Sequence, residues 1–531
     1  MPSIVGAAHS LSLLGLDASS VIVEAILLSG LPSFTIVGLG DTAVREARER
    51  LRASFSALGI DWPNLRVTVN LSPADTAKSG TSFDLAIAVA ILGAMGYRTF
   101  SERTVIVGEL GLDGEVRPIR GVVPCVLAAA KLGYSRIVVP AGNEAEARLI
   151  PDVQVLPVQH ITQVAALLGV PGIGFNSAAN GEKQEKGHFK QEQSPAVSAL
   201  DAGWVDTRMP MELAEVYGQE EAIWALQVAA VGRHHVQLVG APGIGKSMLA
   251  QRFPAILPPL SPSEAVEVAA IQSLGGVRLS ELPTYRPFSA PHHTASTPAL
   301  VGGGVGIPQP GAVTFAHHGV LFLDEFPEFA PRAIQSLRQP METGWIDLHR
   351  AQANIRYPAH FQLIAAANPC RCGHSLDERG SCVCKPHERA TYRANLGGPI
   401  RDRFDIRLVL RRPSKAALAM GGQVTTAQAS TAVIAARERS DQRRKAHPEI
   451  AHVAANASLP GRWLRENTPL SAVMAAVIDR QLDRGQLSLR GLDRVLRVAW
   501  SVADMMGHAH PTDDDLATAF TLRGSEDIYG E

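Results

Sequence analysis

"HHVQLVGAPGIGKSMLAQRF", residues 234–253, decides how the middle of this 531-residue chain folds. "VQLV" is a short apolar run that reads as a buried strand, and "KSMLAQRF" opens a helix. Between them lies Gly240-x-x-x-x-Gly245-Lys246-Ser247. A glycine-rich turn from strand into helix aims backbone N–H groups and a helix N-terminus at one point, which suits a polyphosphate. The expected cradle is Gly240, Ala241, Pro242, Gly243, Ile244, Gly245, Lys246, Ser247 and Met248. Lys246 would reach the β and γ oxygens and Ser247 would bind Mg²⁺, so ATP and Mg²⁺ are the expected cofactors.

Other segments complete a hydrolytic site. "GVLFLDEFPEF" (319–329) is an apolar strand ending in an acidic pair. Asp324 is then the second Mg²⁺ contact, and Glu325 the base that takes a proton from the attacking water. A third strand, "FQLIAAAN" (361–368), ends in Asn368, which can orient that water; caps and turns also favour Asn.

Length alone predicts several domains. Residues 1–170 alternate strand-like runs ("FTIVGLG", "LRVTVNL", "RTVIVGEL", "RIVVP") with helical ones, as an α/β domain does. Residues 171–205 are rich in Gly, Ser, Gln, Lys and Glu and read as a flexible linker. Residues 206–410 form the α/β nucleotide core, and 411–531 read as helical throughout. Net charge is −1, so nucleic-acid binding would need local patches or a pore. The N-terminus lacks a charged signal region and the apolar runs are broken, which predicts a cytoplasmic protein with no membrane span.

Four of the five cysteines fall in "NPCRCGHSLDERGSCVCKP" (368–386): Cys370, Cys372, Cys382 and Cys384. In a reducing compartment this spacing reads as structural Zn²⁺ held by four thiolates. Each pair is one residue tighter than the usual knuckle, so redox thiols and a disulfide stay open. A metal here would brace the stretch between Asn368 and Arg403. The paired histidines His292–His293 and His317–His318 read as packing residues, because adjacent side chains point in different directions.

The order of these motifs resembles the AAA+ ATPases, in which Asn368 matches sensor 1. "GPIRDRFDIRL" (398–408) resembles the stretch that supplies an arginine finger, with Arg403 the best fit. Arg490, in "LSLRGLDRVLRVAW" (487–500), falls where the lid helix carries sensor 2. "RPFSAPHHTASTPALVGGGVGIPQPGAVTFAHHGVLFLDE" (286–325) resembles the helix-2 insert of the magnesium-chelatase-like branch. "GLPSFTIVGLGDTAVREARERLRASF" (30–55), "VTVNLSPADTAKSGTSFDLAIAVAIL" (67–92), "GELGLDGEVRPIRGVVPCVLAAA" (108–130) and the cysteine stretch narrow the resemblance to the ComM/YifB family. That resemblance implies a homohexameric DNA motor driving branch migration of recombination junctions during natural transformation, working with recombination or competence proteins. Its track would be branched or single-stranded DNA, held without sequence preference. Arg350 and Arg356, on the hairpin-like stretch "GWIDLHRAQANIRYPAHFQL" (344–363), are the candidate phosphate contacts.

The N-terminal domain resembles the Lon protease domain, of the S5 domain 2-like fold. "GTSFD" places Ser82 at the nucleophile's position, but valine stands near 123 where Lon has lysine, and no lysine occurs between Lys78 and Lys131. A Ser–Lys dyad needs that amine, so no peptidase activity is expected. Two other functions are compatible with such a motor: ATP-driven protein remodelling, and a chelatase-type metal-insertion subunit. For the latter, the D-x-S-x-S motif of a metal-dependent adhesion partner is absent.

Overall fold

The computed structural model describes residues 4–38, 41–73, 81–172, 204–205, 211–304, 307–350, 353–376, 382–394 and 398–524. Most of the 171–205 stretch therefore lies outside the described residues. The chain is a multidomain α/β protein with two large sheets and a helical C-terminal part.

The first sheet contains β1 (Val5–Leu14), β2 (Asp17–Leu28), β3 (Ser33–Val37), β4 (Arg66–Ser72) and β5 (Thr104–Ile106), then β8 (Arg136–Pro140) and β9 (Gln154–Val158). Its order is β3-β4-β2-β1-β5-β8-β9, and a separate ribbon pairs β6 (Glu109–Leu110) with β7 (Val116–Arg117). The expected strands and helices of this half are present. The expectation had no β1, although it is among the longest strands. Gly6, Ala7, Ala8, Ser10 and Ser12 give β1 little strand propensity. Packing requires small residues there, since the fully buried helix Asp84–Ala94 lies flush on β1. A Cβ on Gly6 would sit 2.0 Å from the Ala90 carbonyl oxygen.

The second sheet holds β10 (Trp204–Val205), β11 (Val236–Val239), β12 (Phe288–Ser289), β13 (Val320–Leu323), β16 (Gln362–Ala367) and β17 (Ile406–Val409). Its order is β10-β12-β13-β16-β11-β17, and every pairing except β10 with β12 is parallel. A parallel sheet gathers all its carboxyl ends on one edge, where ligands bind. A hairpin, β14 (Trp345–Arg350) with β15 (Ala353–Pro358), stands between β13 and β16.

The two halves are docked through helix Val122–Lys131 against helix Pro262–Leu274. The Gly121 N–H donates to the Ser273 carbonyl (3.0 Å), and the Val123 N–H donates to Ser273 Oγ (3.2 Å). Val123, at the position where the resemblance places the Lon lysine, is fully buried. The β1–β2 turn also reaches the core: a Cβ on Gly15 would lie 2.6 Å from Ile355 Cγ2, midway along the hairpin.

The C-terminal helices include Thr426–Ala446, Leu489–Met506 and Asp513–Arg523. Thr426–Ala446 and Leu489–Met506 pack on helix Glu220–Gly232 of the core. A buried polar chain stitches them to the sheet. Asp405 accepts from His234 Nδ1 (3.1 Å) and Arg494 Nη1 (3.3 Å). His234 Nε2 meets Ser501 Oγ (2.8 Å), Asn456 Nδ2 donates to Asp504 (2.7 Å), and Arg443 binds Asp504 through both terminal nitrogens. Burial pushes the Asp405 carboxyl up, but the His234 hydrogen bond and the charges of His234 and Arg494 outweigh it and hold it below the usual range. A depressed carboxylate stabilises the fold above its unfolded value, about 3.9, and that contribution fades as pH falls toward the folded value. Asp405→Ala should cost about 3–5 kcal/mol, the range for breaking a buried pair, read as a lower denaturation midpoint at neutral pH.

Candidate functional site: a phosphate cradle facing away from an arginine cleft

Strand β11 runs straight into the glycine loop, and β13 and β16 end beside it. Gly243 (φ 73°) and Gly245 (φ 100°) take left-handed conformations that let the loop curl before helix Lys246–Ile256 begins. Lys246 Nζ donates to the carbonyls of Gly240 (2.7 Å) and Ala241 (3.1 Å) and to Asn368 Oδ1 (3.0 Å). Burial lowers its pKa, against the opposing charges of Asp324 and Glu325. Ser247 Oγ donates to Asp324 Oδ2 at 2.7 Å. The structure thus brings five of the sequence-predicted groups together: Lys246, Ser247, Asp324, Glu325 and Asn368. A buried ammonium amid oxygens and a hydroxyl–carboxylate pair fit a phosphate chain and a Mg²⁺ ion. Ser247 and Asp324 would hold the ion, which supplies neutralisation of charge on the β and γ oxygens.

Glu325 adopts φ 50°, ψ 42°, a left-handed conformation rare for a residue with a side chain. Such a backbone costs about 1–3 kcal/mol and persists only when its surroundings hold it. The Glu325 N–H donates to Asp324 Oδ1 (2.9 Å), and the Glu328 N–H donates to the Glu325 carbonyl (2.8 Å). His293 Nδ1 lies 2.9 Å from Glu325 Oε2. The packing role expected for His293 is therefore incomplete. The register explains it where the sequence does not: Ser289 pairs with Leu321, so residues four beyond each, 293 and 325, emerge side by side.

Arg403 and Arg490 lie elsewhere. Both line a cleft of about 780 Å³ with Arg494, His235, Gly319 and Gln362. His235, Gly319 and Gln362 flank the amino ends of β11, β13 and β16, the edge opposite the phosphate cradle. The four residues of β11 alone separate the two edges by about 13 Å. Arg490, expected as sensor 2, does not face the cradle of its own chain, and neither does Arg403. Arg403 pairs here with Glu342.

The insert and hairpin meet. A Cβ on Gly303 would be 3.5 Å from Arg350 Nη2, and one on Gly302 would be 3.0 Å from Leu348 Cδ1. Arg350 is exposed. Arg356 is exposed too, and its guanidinium is taken by Asp347 across the hairpin (2.6 Å).

The cysteines converge. Sγ of Cys370 is 3.4 Å from that of Cys372 and 3.7 Å from that of Cys382, and Cys372 and Cys382 are 3.6 Å apart. All four ligand atoms, Cys384 included, lie within 4.8 Å of one another. Four thiolates at about 2.3 Å from Zn²⁺ in a tetrahedron stand about 3.8 Å apart, so the donor set fits zinc. Backbone N–H donation from His374 helps bring the Cys372 thiol down to about 6. The turn after Cys372 rests on the phosphate cradle: a Cβ on Gly373 would meet Pro242 Cδ at 2.5 Å. The cysteine turn thus touches the loop before Lys246.

His317 and His318 both contact Glu267 (3.0 and 2.9 Å). His317 Nδ1 accepts the His360 N–H (3.1 Å), so its Nε2 carries the proton that Glu267 receives. That tautomer hydrogen-bonds the imidazole at both nitrogens, and the ligand atoms of Glu267, His317 and His318 all lie within 4.8 Å of one another.

Three family profiles match the chain. "Subunit ChlI of Mg-chelatase" covers residues 23–143, "Magnesium chelatase, subunit ChlI" covers 212–418, and its C-terminal profile covers 423–523. An uncharacterized protein of Mycobacterium tuberculosis is 41% identical over 524 residues, 98% of each chain. YifB of Salmonella typhimurium is 38% identical over 502 residues, 94% of this chain and 92% of its own. Competence protein ComM of Haemophilus influenzae is 36% identical over 520 residues, 97% of this chain and 96% of its own. The chain belongs to the ComM/YifB family. As a ComM/YifB protein it is a magnesium-chelatase-like AAA+ ATPase that uses ATP and Mg²⁺. A stretch of it also resembles Lon protease 1 of Herpetosiphon aurantiacus, 34% identical over 160 residues, 28% of this chain. Among the described residues no helix is long and apolar enough to cross a membrane.

Proposed function

We propose that this ComM/YifB protein is a hexameric DNA motor that drives branch migration of recombination junctions, as in the integration of incoming DNA. The observation that carries the ring is the separation of Lys246 and Arg403 onto opposite edges of one sheet. A site split in this way is completed only by a second copy placed head to tail, and repeated head-to-tail contacts close into rings. Arg403 and Arg490 then both act on the neighbour's ATP. DNA as the track is supported by exposed Arg350, which lies beside the Gly302–Gly304 turn of the insert, and by a relative named as a competence protein. Arg350 is the first phosphate contact, and Arg356 joins by exchanging Asp347 for a phosphate.

In this reading residues 1–170 are a Lon-like domain without the Ser–Lys dyad, with Ser82 structural. Residues 171–205 link it to the AAA+ core, 206–410, with its helix-2 insert, and 411–531 are the lid. The protein works in the cytoplasm, with recombination or competence proteins as partners.

The test is branch migration of a synthetic four-way junction. The wild type should move it with ATP, and Lys246→Ala should not. ATP turnover stimulated by an unfolded protein, with none from branched DNA, would instead assign a protein-remodelling activity.

The cysteine cluster is assigned to structural Zn²⁺. Elemental analysis should find one zinc per chain in the wild type and none in Cys382→Ser. Because Gly373 rests on Pro242, the zinc-free variant should also bind ATP more weakly.

A further inference from the structure

The arginine cleft holds more positive charge than its motif residues account for. Arg403, Arg494 and Arg465 each have a carboxylate of their own in it: Glu342, Asp405 and Asp493. Arg233, Arg286 and Arg437 line the same cleft without that balance. Glu264 serves two of them. Arg286 takes both its oxygens (3.1 and 3.0 Å), and Arg233 reaches one at 3.4 Å. Arg437 has no carboxylate partner among the described residues. Its Nε and Nη2 both donate to the Ala230 carbonyl (2.9 and 2.5 Å). The nearby acidic groups are committed elsewhere, Glu267 to His317 and His318 and Asp441 to Arg444. Burial and the charges of Arg233 and Arg286 push the Arg437 pKa well below its ordinary value. An anion beside such a group favours its charged form.

Backbone strain falls in the same place. Among the described residues, three that are not glycine have positive φ: Glu325 (50°), Arg233 (58°) and His318 (58°). Glu325 belongs to the hydrolytic site, and the other two line this cleft. Arg233 ends helix Glu220–Gly232 in the left-handed position that glycine ordinarily fills. A side chain there costs backbone energy that glycine would not, and such strain clusters where ligands are held. The His318 carbonyl accepts from Arg286 Nη1 (2.9 Å), which ties the second strained residue to the same arginine set.

We propose that Arg233 and Arg437 form an anion subsite that takes a phosphate group. Guanidinium forks match phosphate oxygens through paired N–H bonds, and the ligand supplies the negative charge that Glu264 alone does not. The ring proposed above brings a neighbour's ATP to this cleft, so the phosphate cleaved from it is the product this subsite holds. That source rests on the ring reading; the subsite does not.

Inorganic phosphate is the probe, titrated into the full-length protein without nucleotide at constant ionic strength, with the heat of binding as readout. Lys246→Ala should retain a phosphate site, because the subsite is separate from the cradle. Arg233→Gln and Arg437→Gln should each bind phosphate at least about tenfold more weakly, the low end for a hydrogen bond to a charged group. Arg233→Gln leaves the Ala230 bonds in place, so it carries the test even if Arg437→Gln folds poorly. Arg403→Ala and Arg490→Ala should bind nearly as the wild type does. Binding lost in Lys246→Ala and unchanged in both glutamine variants would overturn the proposal and put the phosphate on the cradle. Equal weakening by all four arginine changes would overturn it too, since a diffuse positive field responds in that way. Turnover then tests the source. Added phosphate should inhibit ATP hydrolysis by the wild type, and inhibit Arg233→Gln at least about tenfold less. Phosphate that binds through Arg233 and Arg437 but leaves turnover untouched would uphold the subsite and remove the neighbour's ATP as its source.

Discussion

Glu325→Gln should lower ATP turnover by about 10²–10⁴-fold, the usual contribution of a general base, while nucleotide still binds. The amide matches the carboxylate in shape but cannot take the water proton. The backbone bonds that fix residue 325 involve its own N–H and carbonyl, so they survive the change. Lys246, Ser247 and Asp324 are untouched, and those are the groups that hold the phosphates. Phosphate release should therefore collapse while binding of a fluorescent nucleotide stays near wild type. Lys246→Ala separates the roles, because it removes the ammonium from the cradle and should lose both. Wild-type turnover in Glu325→Gln would refute its assignment as base.

Arg403→Ala should cost about 10³-fold or more in turnover, as loss of a transition-state arginine does. Arg403 lies at the sheet edge opposite its own chain's phosphate cradle, so in the proposed ring its loss should be repaired by a different subunit. Mixing Arg403→Ala with Lys246→Ala, each inactive alone, should recover part of the activity. One kind of interface in the mixed ring joins an intact Lys246 to an intact Arg403. The same logic gives a sharper contrast. Arg490 lines the same cleft as Arg403, so Arg490→Ala should complement Lys246→Ala but never Arg403→Ala. No interface between those two arginine variants offers both guanidinium groups. Failure of the first mixture, with mixed rings shown to assemble, would mean that the arginine cleft does not serve a neighbour's nucleotide. In the proposed ring Arg403 would leave Glu342 to act, so a neighbour's ATP would compete with Glu342.

The nucleotide side of the site was legible in the sequence because its parts are local. A strand, a glycine loop and a helix are contiguous at 236–253, and Asp324 and Asn368 each close an apolar run long enough to recognise. What escaped depends on which strands are neighbours. β12 has only two residues, Phe288 and Ser289, too few for a periodic pattern. Without it, nothing in the sequence places His293 opposite Glu325. Arg403 and Arg490 were each singled out from motifs, but their shared cleft arises from packing of the C-terminal helices on the sheet, which no local pattern records. The cysteines showed their chemistry through spacing, while the contact of Gly373 with Pro242 joins segments more than a hundred residues apart. β1 was missed for the opposite reason. Tertiary packing against Asp84–Ala94 chose glycine, alanine and serine, and those residues erase the strand signal.

Val123 carries a consequence for ancestry. Its side chain is enclosed, and its N–H is committed to Ser273 of the nucleotide core. If a protease-like forebear kept a lysine there, the loss was not a single reversible step. Putting lysine back would press an ammonium into a sealed apolar seam, where a charge is unstable without a partner. The residue at 123 is therefore set by the docking of the two halves, and a change there would be felt first in how they hold together.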